Sequence, residues 1–320
     1  MLHTQLTEKL GIEHPILLAP MDKVSGGRLA AAVSAAGGLG LIGGGYGDAD
    51  WLRAEFAAAG NQPVGAGFIT WSLKNKPELL DLCLERKPKA MIFAFGDATA
   101  FVAKCRAQGV TTLWQVQRLD QARAAIAAGT DVIVAQGQEA GGHGMDRGLA
   151  VLLPAVRDLV GEDQLVVAAG GIGDGRGLAA ALMLGADGVM MGTRFWAATE
   201  ASGLNGAKAC LVEASGDETV RTKVFDLVRS LDWPGHFTGR VLHNEFSRRW
   251  HDDIEGLKGQ IDKERARYDA TAVEDFRTRV VIGGEVVDLI RGVKPAAEIV
   301  ADTVAAAADL VRNAPGRYLS

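Results

Sequence analysis

Asp131-Val132-Ile133-Val134-Ala135 runs without transition into Gln136-Gly137-Gln138-Glu139-Ala140-Gly141-Gly142-His143-Gly144. The first stretch is short, apolar and rich in β-branched residues, the signature of a buried strand. The second is polar and glycine-rich, with a single imidazole at its tip. Glycine lets a backbone adopt positive φ and approach a neighbour closely. A strand that empties into such a loop can aim a catalytic group at a ligand. Taken alone, the loop fits equally a tight turn with a solvent-facing histidine, so the rest of the chain has to decide.

The same strand-then-helix unit recurs on both sides. Upstream, strands are expected at 15–21, 39–42, 63–69, 90–95 and 111–116, with helices at 26–36, 50–59, 77–85, 99–108 and 119–128. Downstream, a helix at 149–160, a strand at 165–169, a helix at 175–184 and a strand at 187–191 continue the alternation. Gly109, Gly129 and Gly185 stop three of the helices, as glycine does at a helix C-terminus. The strands are apolar throughout rather than alternating, which implies burial on both faces and a parallel sheet. Eight such units predict a closed (βα)8 barrel, the TIM-barrel class of α/β fold. An open doubly wound sheet ranks second, because the first glycine loop gives no clean G-x-G-x-x-G opening a helix.

Beyond residue 197 the pattern changes. Helices are expected at 206–214 and 219–228, and 231–239 is irregular around Trp233, Pro234 and His236. A charged helical stretch follows over 246–276, then an Ala-rich helix over 295–312 that opens on proline. This organisation divides the chain into a barrel, residues 1–200 completed by 281–320, and a mostly helical insertion over 201–280 that covers one mouth.

Composition sets the outer limits. Of 320 residues, 48% are hydrophobic and 23% charged, enough for a sizeable core, and the 41 glycines suit tightly turning loops. The net charge of −5 comes without a basic run, which argues against a nucleic-acid partner. No apolar stretch approaches the length of a membrane span, and residues 1–9 lack the apolar core of a secretory signal. Cys83, Cys105 and Cys210 are scattered, as expected of reduced thiols in a cytoplasmic protein. None of His3, His14, His236, His243 and His251 stands at metal-ligand spacing from another ligand type, so no metal site is expected.

In a (βα)8 barrel the active site forms from the loops that follow the strands, and phosphate commonly sits on those after the seventh and eighth. Here these loops read Ala169-Gly170-Gly171-Ile172 and Met191-Gly192-Thr193-Arg194. Both offer backbone N–H groups free of side-chain obstruction, the usual means of holding an anion. Glycines that merely permit turns would look the same. Ala19-Pro20-Met21 leaves the first strand at the same mouth. Gln115 and Gln136, at two other strand ends, could hydrogen-bond the edge of a heteroaromatic ring, although strand-end amides also serve loop backbone. Trp71, Trp114 and Trp196 are candidates for an apolar wall or for core packing. Asp174 and Asp187 read as turn caps.

These residues together resemble the FMN-dependent nitronate monooxygenases, also called 2-nitropropane dioxygenases. The resemblance rests on 15–21, 136–144, 168–172 and 188–195, with a further match over 283–300. Its most specific part is Glu139-Ala140-Gly141-Gly142-His143, which also occurs in flavin enoyl-acyl-carrier-protein reductases and NADH:quinone reductases. The resemblance implies FMN at the C-terminal mouth of the barrel, with flavin contacts at Met21, Gln136, Gly141, Gly171, Gly192 and Thr193. It implies that His143 is catalytic, and that a small-molecule nitronate is oxidised by O2 to a carbonyl compound and nitrite. Two alternatives stay open: an NAD(P)H-dependent reductase of quinones or enoyl thioesters, and a barrel that binds a phosphorylated metabolite without flavin. A homodimer is one open form of assembly.

Overall fold

The computed structural model describes residues 2–318. Eight strands build one parallel sheet: β1 (Ile16–Leu18), β2 (Leu41–Gly45), β3 (Gly65–Ile69), β4 (Ala90–Ala94), β5 (Thr111–Val116), β6 (Val132–Gln136), and, after a short strand β7 (Gly142–Gly144) that lies outside it, β8 (Leu165–Ala169) and β9 (Gly188–Met191). Their order is β1-β9-β8-β6-β5-β4-β3-β2. A parallel bridge from Leu17 to Leu39 links the two ends of this order, which turns the sheet into a barrel. The open doubly wound alternative is thereby excluded.

The apolar strands do what their composition requires. Ile16, Leu18, Met91, Phe93, Ile133, Ala135, Val166 and Ala168 face the surrounding helices, while Leu17, Leu41, Ile92, Leu113, Val132, Val134 and Val167 fill the barrel interior. Each fully buried aliphatic side chain stabilises the fold by about 1.5–3 kcal/mol relative to exposure. Helix Ala296–Tyr318 packs against helices Gly175–Met183 and Gly27–Ala35, and so fills the last place in the outer ring. Among the described residues no helix is long and apolar enough to cross a membrane.

The region between residues 201 and 280 departs from the expected run of helices. Residues 219–222 form strand β10 (Thr219–Thr222) rather than the start of a helix, and only Val224–Val228 is helical. The sequence Thr-Val-Arg-Thr is β-branched at three of its positions, which favours a strand. A further strand, β11 (Thr238–Leu242), begins inside the stretch read as irregular. The charged stretch is divided into helices Glu245–Trp250, Ile254–Gly259 and Ile261–Ala270, with Asp253 capping the second through the Gly256 N–H. Val224, Phe225, Val228, Val241, Phe246, Trp250, Leu257 and Tyr268 give this region a core of its own.

The two parts are joined through the glycine-rich loop that carries His143. β11 pairs antiparallel with β10 on one edge and with β7 on the other, placing Gly239 opposite His143. The tip of the glycine loop is therefore a strand in a second, three-stranded sheet.

Candidate active site

At the C-terminal ends of the barrel strands lies a cavity of about 330 Å³. Ala19, Pro20, Met21, Gln115, Gln136, Gly141, His143, Gly170, Gly171, Gly192 and Thr193 all line it. Barrel geometry explains the convergence of residues so far apart in sequence: parallel strands deliver every following loop to the same mouth.

The glycine loops differ in what they need. Gly170 and Gly171 stand at φ +103° and +69°, a region that L side chains rarely adopt. Gly141 is fixed by close approach instead: a Cβ there would come within 2.7 Å of the Gly284 nitrogen, and one on Gly284 within 2.6 Å of the Gly141 nitrogen. Gly284 N–H donates to Thr193 Oγ1 at 3.0 Å, so this hydroxyl ties the tail to the loop after β9. Gly192 is a different case. A Cβ there would meet Ala19 Cβ at 3.4 Å and Met21 Sδ at 3.7 Å, ordinary contact distances. The protein's own packing does not require glycine at this position, which leaves its backbone open toward the cavity.

The two glutamines also separate. Gln136 is engaged: its Oε1 accepts from Gln117 Nε2 at 2.8 Å, and its Nε2 donates to the His143 carbonyl at 3.2 Å. Gln115 is only 8% exposed, yet its side-chain amide has no protein partner among the described residues. Gln115 lines the cavity, so its free amide is available to a ligand there. Glu139, within the most specific part of the loop, also lines the cavity, but its carboxylate is engaged by backbone. Its carboxylate accepts from the Leu149 N–H at 2.9 Å at the start of helix Leu149–Val160.

His143 is held from the far side of the fold. Its Nε2 lies 3.0 Å from both carboxylate oxygens of Asp226, a residue of helix Val224–Val228. One face of the imidazole stacks on Trp233, with ring centres 3.4 Å apart and planes within 5°. Trp233 Nε1 in turn donates to Tyr46 Oη at 2.8 Å. Tyr46, Trp71, Phe95 and Phe237 meet the Trp233 ring edge-on at 5.0–6.2 Å, arrangements favoured by the ring quadrupoles. Burial pushes the Tyr46 phenol up to about 12. Phe95 takes φ +66°, unusual for a bulky residue, and this turn presents its ring to Trp233 and Phe237.

Asp226, Trp233, Tyr46 and Phe95 were not legible as site residues. Asp226 left one signal: a lone carboxylate in the apolar run Val224-Phe225-Asp226-Leu227-Val228 must find a partner if buried. Trp196 lines the cavity, Trp71 joins the aromatic cluster, and Trp114 is buried in the core. His236 is exposed beside Phe237. Asp174 caps helix Gly175–Met183, and Asp187 pairs with Arg157 at 2.6 Å. Among the described residues no cluster of His, Cys, Asp or Glu could hold a metal ion.

A closed parallel barrel with its polar groups gathered at one mouth defines a (βα)8-barrel enzyme. The family model described as nitronate monooxygenase matches residues 3–70 and 66–305. The chain belongs to this family of oxidoreductases, whose members are flavoenzymes. It is 38% identical to the nitronate monooxygenase npaC of Metarhizium robertsii, over 90% of this chain and 89% of that one. Among solved structures it is similar to FabK from Thermotoga maritima, with TM-score 0.86, 32% identity and coverage of 99% of this chain and 100% of that one. A nitroalkane oxidase from Streptomyces ansochromogenes matches with TM-score 0.79 and 29% identity, covering 97% and 99% of the two chains.

Proposed function

We propose that the protein is an FMN-dependent nitronate monooxygenase that oxidises an alkyl nitronate with O2 to a carbonyl compound and nitrite. The observation that carries this reading is the meeting of His143, the unpartnered Gln115 amide and the open Gly192 backbone at one mouth, in a chain of this family. These features suit a planar heteroaromatic group with a phosphate tail. Gly170, Gly171, Gly192 and Thr193 would hold the phosphate through backbone N–H groups and one hydroxyl. Ala19, Pro20 and Met21 would line one side of the ring, and Gln115 would meet its polar edge. Gln136 and Gly141 would act from behind, by fixing the loop that carries His143. The flavin supplies the electron chemistry.

His143 has two possible tasks at this mouth. A neutral nitroalkane must lose its α-proton, which a histidine base can accept. A preformed nitronate is already an anion, which an imidazolium can hold. Residues 201–280 act as a lid that brings Asp226 and Trp233 to this group. The three cysteines are unpaired, in keeping with a reducing, cytoplasmic location.

A second reading draws on the likeness to FabK across the whole chain: a reductase that takes hydride from NAD(P)H. One experiment separates the two. The purified protein should show flavin absorbance, and mixing under anaerobic conditions should bleach it with nitronate but not with NADH or NADPH. Rapid bleaching by either pyridine nucleotide would overturn the monooxygenase reading in favour of the reductase. A protein that is colourless and takes up no added FMN would overturn both.

A further inference from the structure

We infer that Asp226 is a positioning residue that fixes the tautomer of His143, so that Nδ1 is the nitrogen presented to substrate. The carboxylate sits on helix Val224–Val228, where Val224, Phe225 and Val228 are buried against Val241, Phe246, Trp250, Leu257 and Tyr268. Its mount is thus packed into a core and not carried on a mobile loop. Asp226 itself is only 7% exposed, and its carboxylate has no side-chain partner other than His143 among the described residues.

An ionised carboxylate can only accept hydrogen bonds. With both oxygens 3.0 Å from Nε2, the neutral imidazole must carry its hydrogen on Nε2. Nδ1 then holds the lone pair, and it has no hydrogen-bond partner among the described residues. The ring cannot easily turn to exchange the two nitrogens. Trp233 covers one face at 3.4 Å, and the backbone of His143 is held by Gln136 and by the pairing with Gly239. Stacking blocks a face but leaves the ring edge open, and the edge is where the Nδ1 lone pair points. When a neutral nitroalkane loses its α-proton, the C–H bond breaks, its electron pair forms the C=N bond of the nitronate as the N=O π pair moves onto oxygen, and the proton goes to Nδ1. The imidazolium so formed keeps Asp226 as its counter-charge, a division of labour known from catalytic triads.

The catalytic half of this inference rests on the proposed function, whereas the tautomer does not. The test uses the flavin-loaded protein labelled with 15N-histidine, with His143→Asn assigning the His143 ring signals. In its neutral form, wild-type His143 is expected to show a protonated Nε2 and an unprotonated Nδ1. Asp226→Asn keeps the shape while removing the obligate acceptor. It is expected to retain flavin, to populate the Nδ1–H form, and to lower kcat for a neutral nitroalkane by on the order of 10²-fold with KM changed much less. Asp226→Glu should recover part of the loss.

A protonated Nδ1 in the wild-type protein would overturn the assignment, even if no Asp226 variant folds. So would an Asp226→Asn protein with unchanged tautomer and unchanged kcat. The expected tautomer in a protein that does not turn over nitroalkane or nitronate would uphold the role of Asp226 and refute the proposed reaction instead.

Discussion

Replacing Trp233 by alanine should loosen the second sheet without unfolding the barrel. The indole stacks on His143, meets Tyr46, Trp71, Phe95 and Phe237 edge-on, and donates to Tyr46 Oη at 2.8 Å. Aromatic pairs contribute about 0.5–1.5 kcal/mol each beyond burial, and the hydrogen bond about 1 kcal/mol. These terms are not additive, and Trp233 is only partly buried, so the low end of a Trp→Ala core truncation is appropriate, about 3 kcal/mol. The loss falls on the contact between residues 201–280 and the barrel mouth. At about 1.4 kcal/mol per decade, opening of β7 and β11 becomes roughly 10²-fold more frequent. Hydrogen exchange read by mass spectrometry is the assay. Amides of Gly142–Gly144 and Thr238–Leu242 should exchange roughly 10²-fold faster, while those of Val132–Gln136 and Leu165–Ala169 keep wild-type rates. Trp233→Phe keeps a stacking ring but loses the bond to Tyr46, and should accelerate exchange only about fivefold. Wild-type exchange in Trp233→Ala would refute the claim that this residue fastens the sheet to the mouth.

Three further outcomes are expected. His143→Asn should keep its flavin and lose turnover of neutral nitroalkane by roughly 10²–10⁴-fold, with a much smaller loss on preformed nitronate; steady-state kinetics with both substrates decide this, and equal losses would assign His143 to anion binding. Gly192→Asp should purify folded but without flavin, because a carboxylate would face a phosphate, while Gly192→Ala, whose Cβ finds ordinary contacts, should bind flavin more strongly than Gly192→Asp; flavin absorbance against protein absorbance reads both, whereas Gly171→Asp should lose flavin through strain at φ +69° as well as through its charge. The Tyr46 phenol, raised from 10.0 to about 12 by burial, is protonated in the folded state where the unfolded chain has lost the proton, so its contribution is intact below about pH 10 and is lost as pH rises toward 12. Denaturant midpoints of the wild type should therefore fall across that window more than those of Tyr46→Phe, and parallel curves would contradict the assignment.

The barrel was legible because its strands carry their burial in their composition. Val132-Ile133-Val134-Ala135 and Leu165-Val166-Val167-Ala168 admit no solvent face, and that alone selects a parallel sheet between helices. The cavity-lining residues were legible for a geometric reason, since each occupies a strand end or the turn after it. What was not legible depends on pairing between distant segments. Nothing local marks His143 as a strand residue: the glycines around it disfavour strands, and only β11 supplies its hydrogen-bonding edge. Asp226 and Trp233 reach the mouth for the same reason. Gln136 looked equivalent to Gln115 in sequence, and the difference arises from Gln117, which takes up one amide and has no counterpart beside the other.

The pairing of β7 with β11 also bears on how the molecule comes to be active. Barrel strands adjacent in the sheet are close in sequence, apart from the final closure, so their contacts form over short loops. Gly239 must find His143 across the whole of the intervening chain, and loop closure over that span carries a larger entropic cost. The histidine therefore acquires its carboxylate and its indole after neighbouring barrel strands from β2 to β9 have had the chance to pair. During refolding, barrel secondary structure should return ahead of catalytic competence, and the interval between them measures the search of one strand for its distant neighbour.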